Sequence, residues 1–90
     1  MIGLTRALAL ELGKYNISVN AVAPGLIDTP LTQQLKKDVL DKLIGAQPTR
    51  TMGKPEDVAH TVSFLVAEKT NFITGQTIYV DGGKSIGAGI

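Results

Sequence analysis

The chain has 90 residues, enough for one small domain and too few for two. Nine Lys and Arg against eight Asp and Glu give a net charge of +1, which excludes the strongly basic surface of a nucleic-acid or anionic-membrane binder. The lack of Cys and the single His exclude disulfides, thiolate chemistry and a His-rich metal site. No apolar run reaches the about 20 residues of a membrane span, and no secretory signal is present, so we expect a soluble, cytoplasmic chain.

Residues 2–14 are predicted to form a helix, because good helix formers dominate and Gly13 stands where a helix would end. Apolar side chains cover most of its circumference, which is too wide for a single buried stripe. We therefore expect this helix to pack on a sheet and also against a second surface. The alternative, a helix fully enclosed by its own chain, needs more protein than 90 residues comfortably supply.

Residues 17–23 are β-branched and mostly apolar without clean alternation, which is typical of a parallel strand covered on both faces. Pro24 and Gly25 are expected to end this strand. The Asp-Thr-Pro run at 28–30 favours a helix start, and residues 31–43 are predicted to form an amphipathic helix or a pair of helices.

Residues 47–54 are predicted to be a loop, and Pro55 suits the first position of a helix that runs to about Glu68. The acidic residues that follow Pro55 match the helix dipole. The core face of this helix is expected to comprise Val58, Val62, Leu65 and Val66.

A second strand is predicted at residues 77–80, followed by an Asp-Gly-Gly turn and a mobile Gly-rich tail at 84–90. A strand, a helical crossover and a second strand make a right-handed parallel βαβ unit. Two parallel strands alone do not make a stable sheet. We therefore expect the chain to be the end of a larger α/β protein.

Four segments, in order and at matching spacing, resemble the C-terminal part of a short-chain dehydrogenase/reductase. They are I-G-L-T-R-A-L-A-L-E-L (2–12), I-S-V-N-A-V-A-P-G-L-I-D-T-P (17–30), R-x-x-x-P-E-D-V-A read loosely over 50–59, and I-T-G-Q-T-I-Y-V-D-G-G (73–83). Within this family, the chain looks most like the 3-oxoacyl-[acyl-carrier-protein] reductases.

The resemblance implies the C-terminal βαβ portion of a doubly wound Rossmann fold, residues 1–83, within a domain of roughly 250 residues. It also implies NAD(P)-dependent hydride transfer between a carbonyl and an alcohol, on a small-molecule or acyl-carrier substrate. The family's Gly-rich nucleotide loop and its Ser, Tyr and Lys catalytic group would lie upstream of Ile2. No catalytic residue is therefore expected here, and the 90-residue chain alone is expected to be inactive.

The resemblance places cofactor contacts, to NAD or NADP, at Pro24, Gly25, Ile27 and Thr29. Ile27 and Thr29 match the residues that hold the nicotinamide carboxamide, through a backbone and a hydroxyl hydrogen bond, and Pro24 and Gly25 shape the loop. The alternative is that Pro24 and Gly25 only end a strand and Thr29 only caps a helix. Residues 31–46 would cover the substrate, and their apolar face would either meet an acyl chain or pack on the core.

Other motifs have structural explanations. Tyr15 and Tyr79 lack a Lys four positions later, and the G-x-x-x-G-x-G spelled by residues 83–89 has no following helix, so we interpret it as coincidence. His60 is expected to have a surface or interface role, and Asn20 is expected to be a satisfied structural amide.

A rival hypothesis makes the chain a truncated homologue that acts as a dimerisation or interaction module. Its motivation is the helix at 2–12, which is apolar all round. In the family, the equivalent helix joins a four-helix subunit interface and the last strand and crossover helix form another, so a homo-oligomer is expected.

Overall fold

The computed structural model describes residues 1–87. Its helices and strands are α1 (Ile2–Leu12), β1 (Ala21–Pro24), α2 (Pro30–Gln33), α3 (Lys37–Gly45), α4 (Pro55–Val66), β2 (Thr77–Val80) and α5 (Lys84–Gly87). Two 3₁₀ turns, Gly13–Tyr15 and Glu68–Thr70, follow α1 and α4.

The two strands form a parallel sheet in which Ala21 lies opposite Thr77 and Pro24 lies opposite Val80. Helices α2, α3 and α4 connect them, and α4 packs against both strands. This arrangement confirms an α/β, Rossmann-like fragment with parallel strands, and β2 has the predicted bounds.

The first strand begins four residues later than predicted, at Ala21, and includes Pro24. Residues 17–20 are held mainly by hydrogen bonds that involve side chains, and not by the backbone pairing of a strand. The Asn20 side chain donates to the Ile73 carbonyl at 3.0 Å and accepts from the Gln76 N–H at 3.0 Å. These bonds confirm Asn20 as a structural amide, and they tie the approach to β1 to the approach to β2.

Helix α1 ends at Leu12 with Gly13 as its C-cap, close to the predicted end. Gly13 does not, however, take the left-handed conformation typical of a C-terminal glycine. It keeps a right-handed conformation, with φ −58°, and the chain continues into the 3₁₀ turn. The left-handed residue is Asn16, with φ 61°. Asn tolerates this region because its short polar side chain pays a smaller steric penalty than most.

The segment predicted as one helix or two forms the pair α2 and α3, and Pro30 takes the first position of α2. Pro55 likewise begins α4, where the Asp57 Oδ2 accepts the Lys54 N–H at 2.7 Å. Helix α4 ends at Val66, two residues before the approximate end predicted at Glu68, because the backbone becomes extended at Ala67, with ψ 141°.

Little apolar surface is buried. Among residues 1–87, the buried apolar side chains are Ala9 and Leu65. Leu4 and Leu10 of α1 are 62% and 86% exposed, so the expected cover on most sides of this helix is absent here. The predicted core face of α4 is only partly buried, because Val66 remains 75% exposed.

The dimensions agree with this open packing. The accessible surface is 6773 Å², whereas a compact monomer of this mass exposes about 5,000 Å². The radius of gyration is 15.6 Å, against about 12 Å for a compact domain of this length. The chain therefore leaves apolar faces uncovered that a complete domain would bury.

The predicted Gly-rich tail starts differently from expectation. Residues 84–87 form one helical turn, α5, in place of coil. The Asp81 carboxylate accepts the N–H groups of Gly83 at 3.0 Å and Ser85 at 2.9 Å, which explains why a turn forms there. Residues 88–90, with the end of the G-x-x-x-G-x-G spelling, lie outside the described residues.

Candidate functional site

The predicted cofactor residues lie on one loop, residues 24–29, at the carboxyl ends of both strands. We call this segment the strand-end loop. The Gly25 N–H extends the pairing of the sheet by donating to the Val80 carbonyl at 2.9 Å. Ligands of open parallel sheets bind beyond the carboxyl ends of the strands, so the loop occupies a position suited to binding.

Gly25 is needed because the backbone after β2 approaches it closely. A Cβ at position 25 would stand 2.8 Å from both the Cα and the Cβ of Asp81. That contact involves a backbone atom, whose displacement costs more free energy than the movement of a flexible side chain. The role expected for Gly25 in shaping the loop thus has a steric cause.

A second contact holds the middle of the strand-end loop. Gly53 donates its N–H to the Leu26 carbonyl at 2.9 Å and accepts the Asp28 N–H at 2.8 Å. These two bonds form a parallel bridge between Ile27 and Gly53. A Cβ at position 53 would lie 2.8 Å from the Ile27 Cδ1. The sequence alone does not single out Gly53, because a glycine within the predicted loop 47–54 is compatible with many backbone conformations.

Thr29 caps α2 through a reciprocal arrangement with Thr32. The Thr29 Oγ1 accepts the Thr32 N–H at 3.4 Å, and the Thr32 Oγ1 accepts the Thr29 N–H at 2.9 Å. The capping role offered as the alternative for Thr29 is therefore real. It does not use the Thr29 hydroxyl proton, because a capping oxygen only accepts.

Two donors of the strand-end loop remain available. Among residues 1–87, neither the Ile27 N–H nor the Thr29 hydroxyl proton has an acceptor. Both residues are half-buried. Both donors can therefore bind an acceptor oxygen of a ligand.

An open cleft of about 440 Å³ adjoins the strand-end loop at Leu26. Its polar lining includes Thr49, Thr51, Asp57 and Asp81. The Ser85 side chain, followed by the backbone N–H groups of Ser85 and Gly83, lowers the pKa of Asp81 below its ordinary value by hydrogen bonding to the carboxylate. Since these bonds are internal to the α5 turn, they give Asp81 a structural function.

A larger groove of about 770 Å³ lies elsewhere, between the approach to β1 and the end of α4. Its lining includes Val19, Val22, Val62 and Leu65 and contains none of the predicted site residues. Polar residues, including Asn16 and Asn71, also line the groove, and one of its walls is α4 itself.

The remaining sequence candidates do not join the site. His60 is exposed. Tyr15 is also exposed, and the Lys14 Nζ lies 5.3 Å from the Tyr15 ring centroid. Within residues 1–87, no cluster of three His, Asp or Glu side chains suits a metal ion. No helix in this part of the chain has the length and apolar character to cross a membrane.

Comparison with known proteins decides the family. A family model described as enoyl-(acyl carrier protein) reductase matches residues 1–85. The chain belongs to the short-chain dehydrogenase/reductase family. The resemblance of the four sequence segments is thereby confirmed.

The chain is similar to curated members of this family that act on different substrates. It is 48% identical over 99% of its length to (2S)-[(R)-hydroxy(phenyl)methyl]succinyl-CoA dehydrogenase subunit BbsD of Thauera aromatica, covering 36% of that protein. It is 49% identical over 92% of its length to a (3R)-3-hydroxyacyl-CoA dehydrogenase of Canis lupus familiaris, covering 32%. It is 43% identical over 96% of its length to the 3-oxoacyl-[acyl-carrier-protein] reductase FabG of Thermotoga maritima, covering 35%. The chain thus spans about a third of these relatives.

Proposed function

We propose that residues 1–83 form the C-terminal part of the Rossmann domain of an NAD(P)-dependent short-chain oxidoreductase, with 84–90 as a tail. In this proposal the enzyme interconverts a carbonyl and an alcohol on an acyl thioester, as the names of the relatives suggest. The strand-end loop supplies the seat for the nicotinamide end of the cofactor. Pro24, Gly25, Ile27 and Thr29 are its contact residues.

One observation carries this proposal: the two free donors of the strand-end loop stand at the carboxyl ends of parallel strands. The Ile27 N–H and the Thr29 hydroxyl suit a carboxamide, whose carbonyl oxygen has two lone pairs and can accept from both donors. When bound, the nicotinamide supplies the hydride. The role of this chain is to orient the ring and to hold the loop still.

The substrate side of the proposal rests on α2 and α3. Leu31, Leu35 and Val39 are 74%, 39% and 42% exposed, so they do not pack on a core formed by the described residues. Leu40 and Leu43, on the same helix as Val39, are half-buried. An exposed apolar face beside the strand-end loop suits the acyl portion of a thioester substrate.

We further propose that a polypeptide of these 90 residues transfers no hydride on its own. A Tyr whose pKa is adjusted by a nearby Lys is the acid expected from the family, and the sequence contains no Tyr-x-x-x-Lys. The contribution of this chain is binding and positioning.

The experiment uses a complete fold, which we call the grafted reductase: residues 1–85 of this chain replace the matching segment of the Thermotoga maritima FabG reductase. Thr29→Val, which removes the hydroxyl, is compared with Thr29→Ser, which keeps it. Thr61→Val serves as the matched control, because that hydroxyl bonds the Asp57 carbonyl within α4, away from the loop. Binding of NADH and NADPH is measured beside binding of ADP-ribose and its 2′-phosphate, which lack nicotinamide.

We expect Thr29→Val to weaken binding of the whole dinucleotide about three- to tenfold, the value of one hydrogen bond, and to leave ADP-ribose binding unchanged. Thr29→Ser and Thr61→Val are expected to bind both ligands like the parent graft. Unchanged dinucleotide binding by Thr29→Val would contradict a nicotinamide seat in this loop.

A second function is favoured by the exposure of α1. With Leu4 and Leu10 largely in solvent, we propose as the alternative that the 90-residue chain acts as an association module, pairing with itself or with an intact homologue. Light scattering on the chain, at a mass of 9.5 kDa per copy, is expected to give a multiple of that mass. A folded monomer would rule this function out.

A further inference from the structure

Thr32 makes more contacts with the strand-end loop than its place in α2 requires. Its hydroxyl oxygen accepts the Thr29 N–H at 2.9 Å. The same hydroxyl can donate its proton to either of two carbonyl oxygens: that of Ile27, 3.0 Å from Oγ1, or that of Thr29, 2.9 Å from Oγ1. One hydroxyl has a single proton, so these two acceptors compete for it.

The competition favours Ile27. The Thr29 carbonyl also accepts the Gln33 N–H at 3.1 Å, as the first bond of α2. Among residues 1–87, the Ile27 carbonyl has Thr32 as its hydrogen-bond partner and no other. The Thr32 hydroxyl is therefore the group that satisfies this half-buried carbonyl.

Together with Gly53, Thr32 fixes the peptide groups on both sides of Ile27. The Leu26 carbonyl and the Asp28 N–H are bound by Gly53, and the Ile27 carbonyl is bound by Thr32. In this stretch of backbone the Ile27 N–H remains unpaired while its neighbours are held. Because a peptide group is planar, the Gly53 bond to the Leu26 carbonyl sets the direction of the Ile27 N–H, which lies in the same peptide. Thr32 holds the next peptide, and so it limits rotation of the Ile27 backbone.

We propose that Thr32 is a positioning residue of the nicotinamide seat, an inference that rests on the proposed function. Its hydroxyl engages the Ile27 carbonyl and the Thr29 N–H, and so it leaves the Ile27 N–H and the Thr29 hydroxyl proton as a preset pair of donors. Thr32 itself does not touch the cofactor. It acts by holding the backbone of Ile27 and Thr29, the two residues that carry those donors.

A capping role alone would give a different result. In the capping box, the same hydroxyl binds the N-cap N–H, and losing it weakens α2. Loss of a cap lowers stability without regard to which ligand is bound. A positioning role instead affects the part of the ligand that contacts the two donors, which is the nicotinamide end.

The test uses the grafted reductase with Thr32→Val and Thr32→Ser. Valine is β-branched like threonine and lacks only the hydroxyl, whereas serine keeps the hydroxyl. Dissociation constants are measured for the reduced dinucleotide that the graft prefers and for the matching ADP-ribose, with thermal unfolding as a record of stability. We expect Thr32→Val to weaken binding of the dinucleotide about three- to tenfold and to leave binding of ADP-ribose unchanged. Thr32→Ser is expected to bind the dinucleotide like the parent graft.

Three results would overturn the inference. Equal weakening of dinucleotide and ADP-ribose would make Thr32 a structural residue only. Unchanged dinucleotide binding in Thr32→Val, with weakened binding in Thr29→Val, would keep the nicotinamide seat and reject the role of Thr32. Unchanged binding in both variants would reject the seat itself, and the inference with it.

Discussion

The strand-end region and helix α1 differ in how many of their stabilising contacts the 90 residues supply. The strand-end region comprises residues 24–29, 47–54 and 80–83, and its parts are joined by backbone bonds of 2.8–2.9 Å at Gly25, Asp28 and Gly53. Gln47 in this region is 2% exposed and donates its side-chain amide to the Thr51 carbonyl. Helix α1 buries Thr5 and Ala9 and leaves Leu10 86% exposed.

The difference follows from how the two kinds of interaction scale with chain length. A hydrogen bond needs one donor and one acceptor, which a short chain can supply locally, and most buried polar groups are paired in this way. Burial of apolar area needs material on all sides of a side chain, and small chains have too little. The hydrogen bonds of the strand-end loop can therefore be complete where the apolar core is not.

The largest effect on the strand-end region is expected from Gly25→Ala. The added methyl group would stand 2.8 Å from the Asp81 Cα, so the two chain segments must separate. We expect a loss of about 1–3 kcal/mol in the free energy of unfolding of the grafted reductase, measured in urea.

Gly45→Ala is the control for this substitution, because no atom lies within 4 Å of a Cβ built at Gly45 in α3. Alanine there is expected to be neutral or to stabilise by about 0.5–1 kcal/mol, since glycine loses more conformational freedom on folding. Equal losses at both positions would show that close packing does not distinguish the strand-end region.

A smaller effect on stability is expected at Asn20, whose side-chain hydrogen bonds take the place of backbone strand pairing. Asn20→Ala leaves the Ile73 carbonyl and the Gln76 N–H without partners. We expect a loss of about 1–2 kcal/mol in the free energy of unfolding of the grafted reductase. Asn71→Ala is the matched control, since among the described residues that side chain makes no hydrogen bond; a loss as large as at Asn20 would contradict the bridging role.

Elements with local causes could be predicted from the sequence. The helix start at Pro55 and the β2 bounds depend on residues within a few positions, and the structure confirms both. The late start of β1 could not be predicted, because it depends on bonds from Asn20 to residues more than 50 positions away.

The candidate site shows the same division. The helix cap at Thr29 could be predicted from the adjoining Pro30. The bridge from Gly53 to the strand-end loop could not, because glycine in a loop is compatible with many conformations and its partner lies 26 positions away at Ile27. The cover expected on α1 depends on surfaces that the described residues do not supply.

Changing the exposed face of α1 is expected to leave unfolding nearly unaltered and to reduce association. Leu4→Gln with Leu10→Gln replaces side chains that are 62% and 86% exposed. We therefore expect the free energy of unfolding to change by less than about 0.5 kcal/mol. Light scattering of the 90-residue chain is expected to shift toward 9.5 kDa. Leu35→Gln with Val39→Gln on α3 is the control, and an equal shift there would remove α1 from the association surface.

The smallest expected effect is the pH-dependent stabilisation of the α5 turn by Asp81. Hydrogen bonds from Ser85 and Gly83 lower the pKa of this carboxyl below its ordinary 3.8, so the ionised form stabilises the α5 turn. That stabilisation is full above the ordinary value and is lost as the pH falls through the lowered pKa. Amide hydrogen exchange of Ser85, corrected for intrinsic rates, is expected to show protection that declines with acid. Asp81→Asn retains an acceptor that does not titrate in this range, so its weaker protection should not vary with pH; the same decline in both proteins would assign the pH dependence to another group.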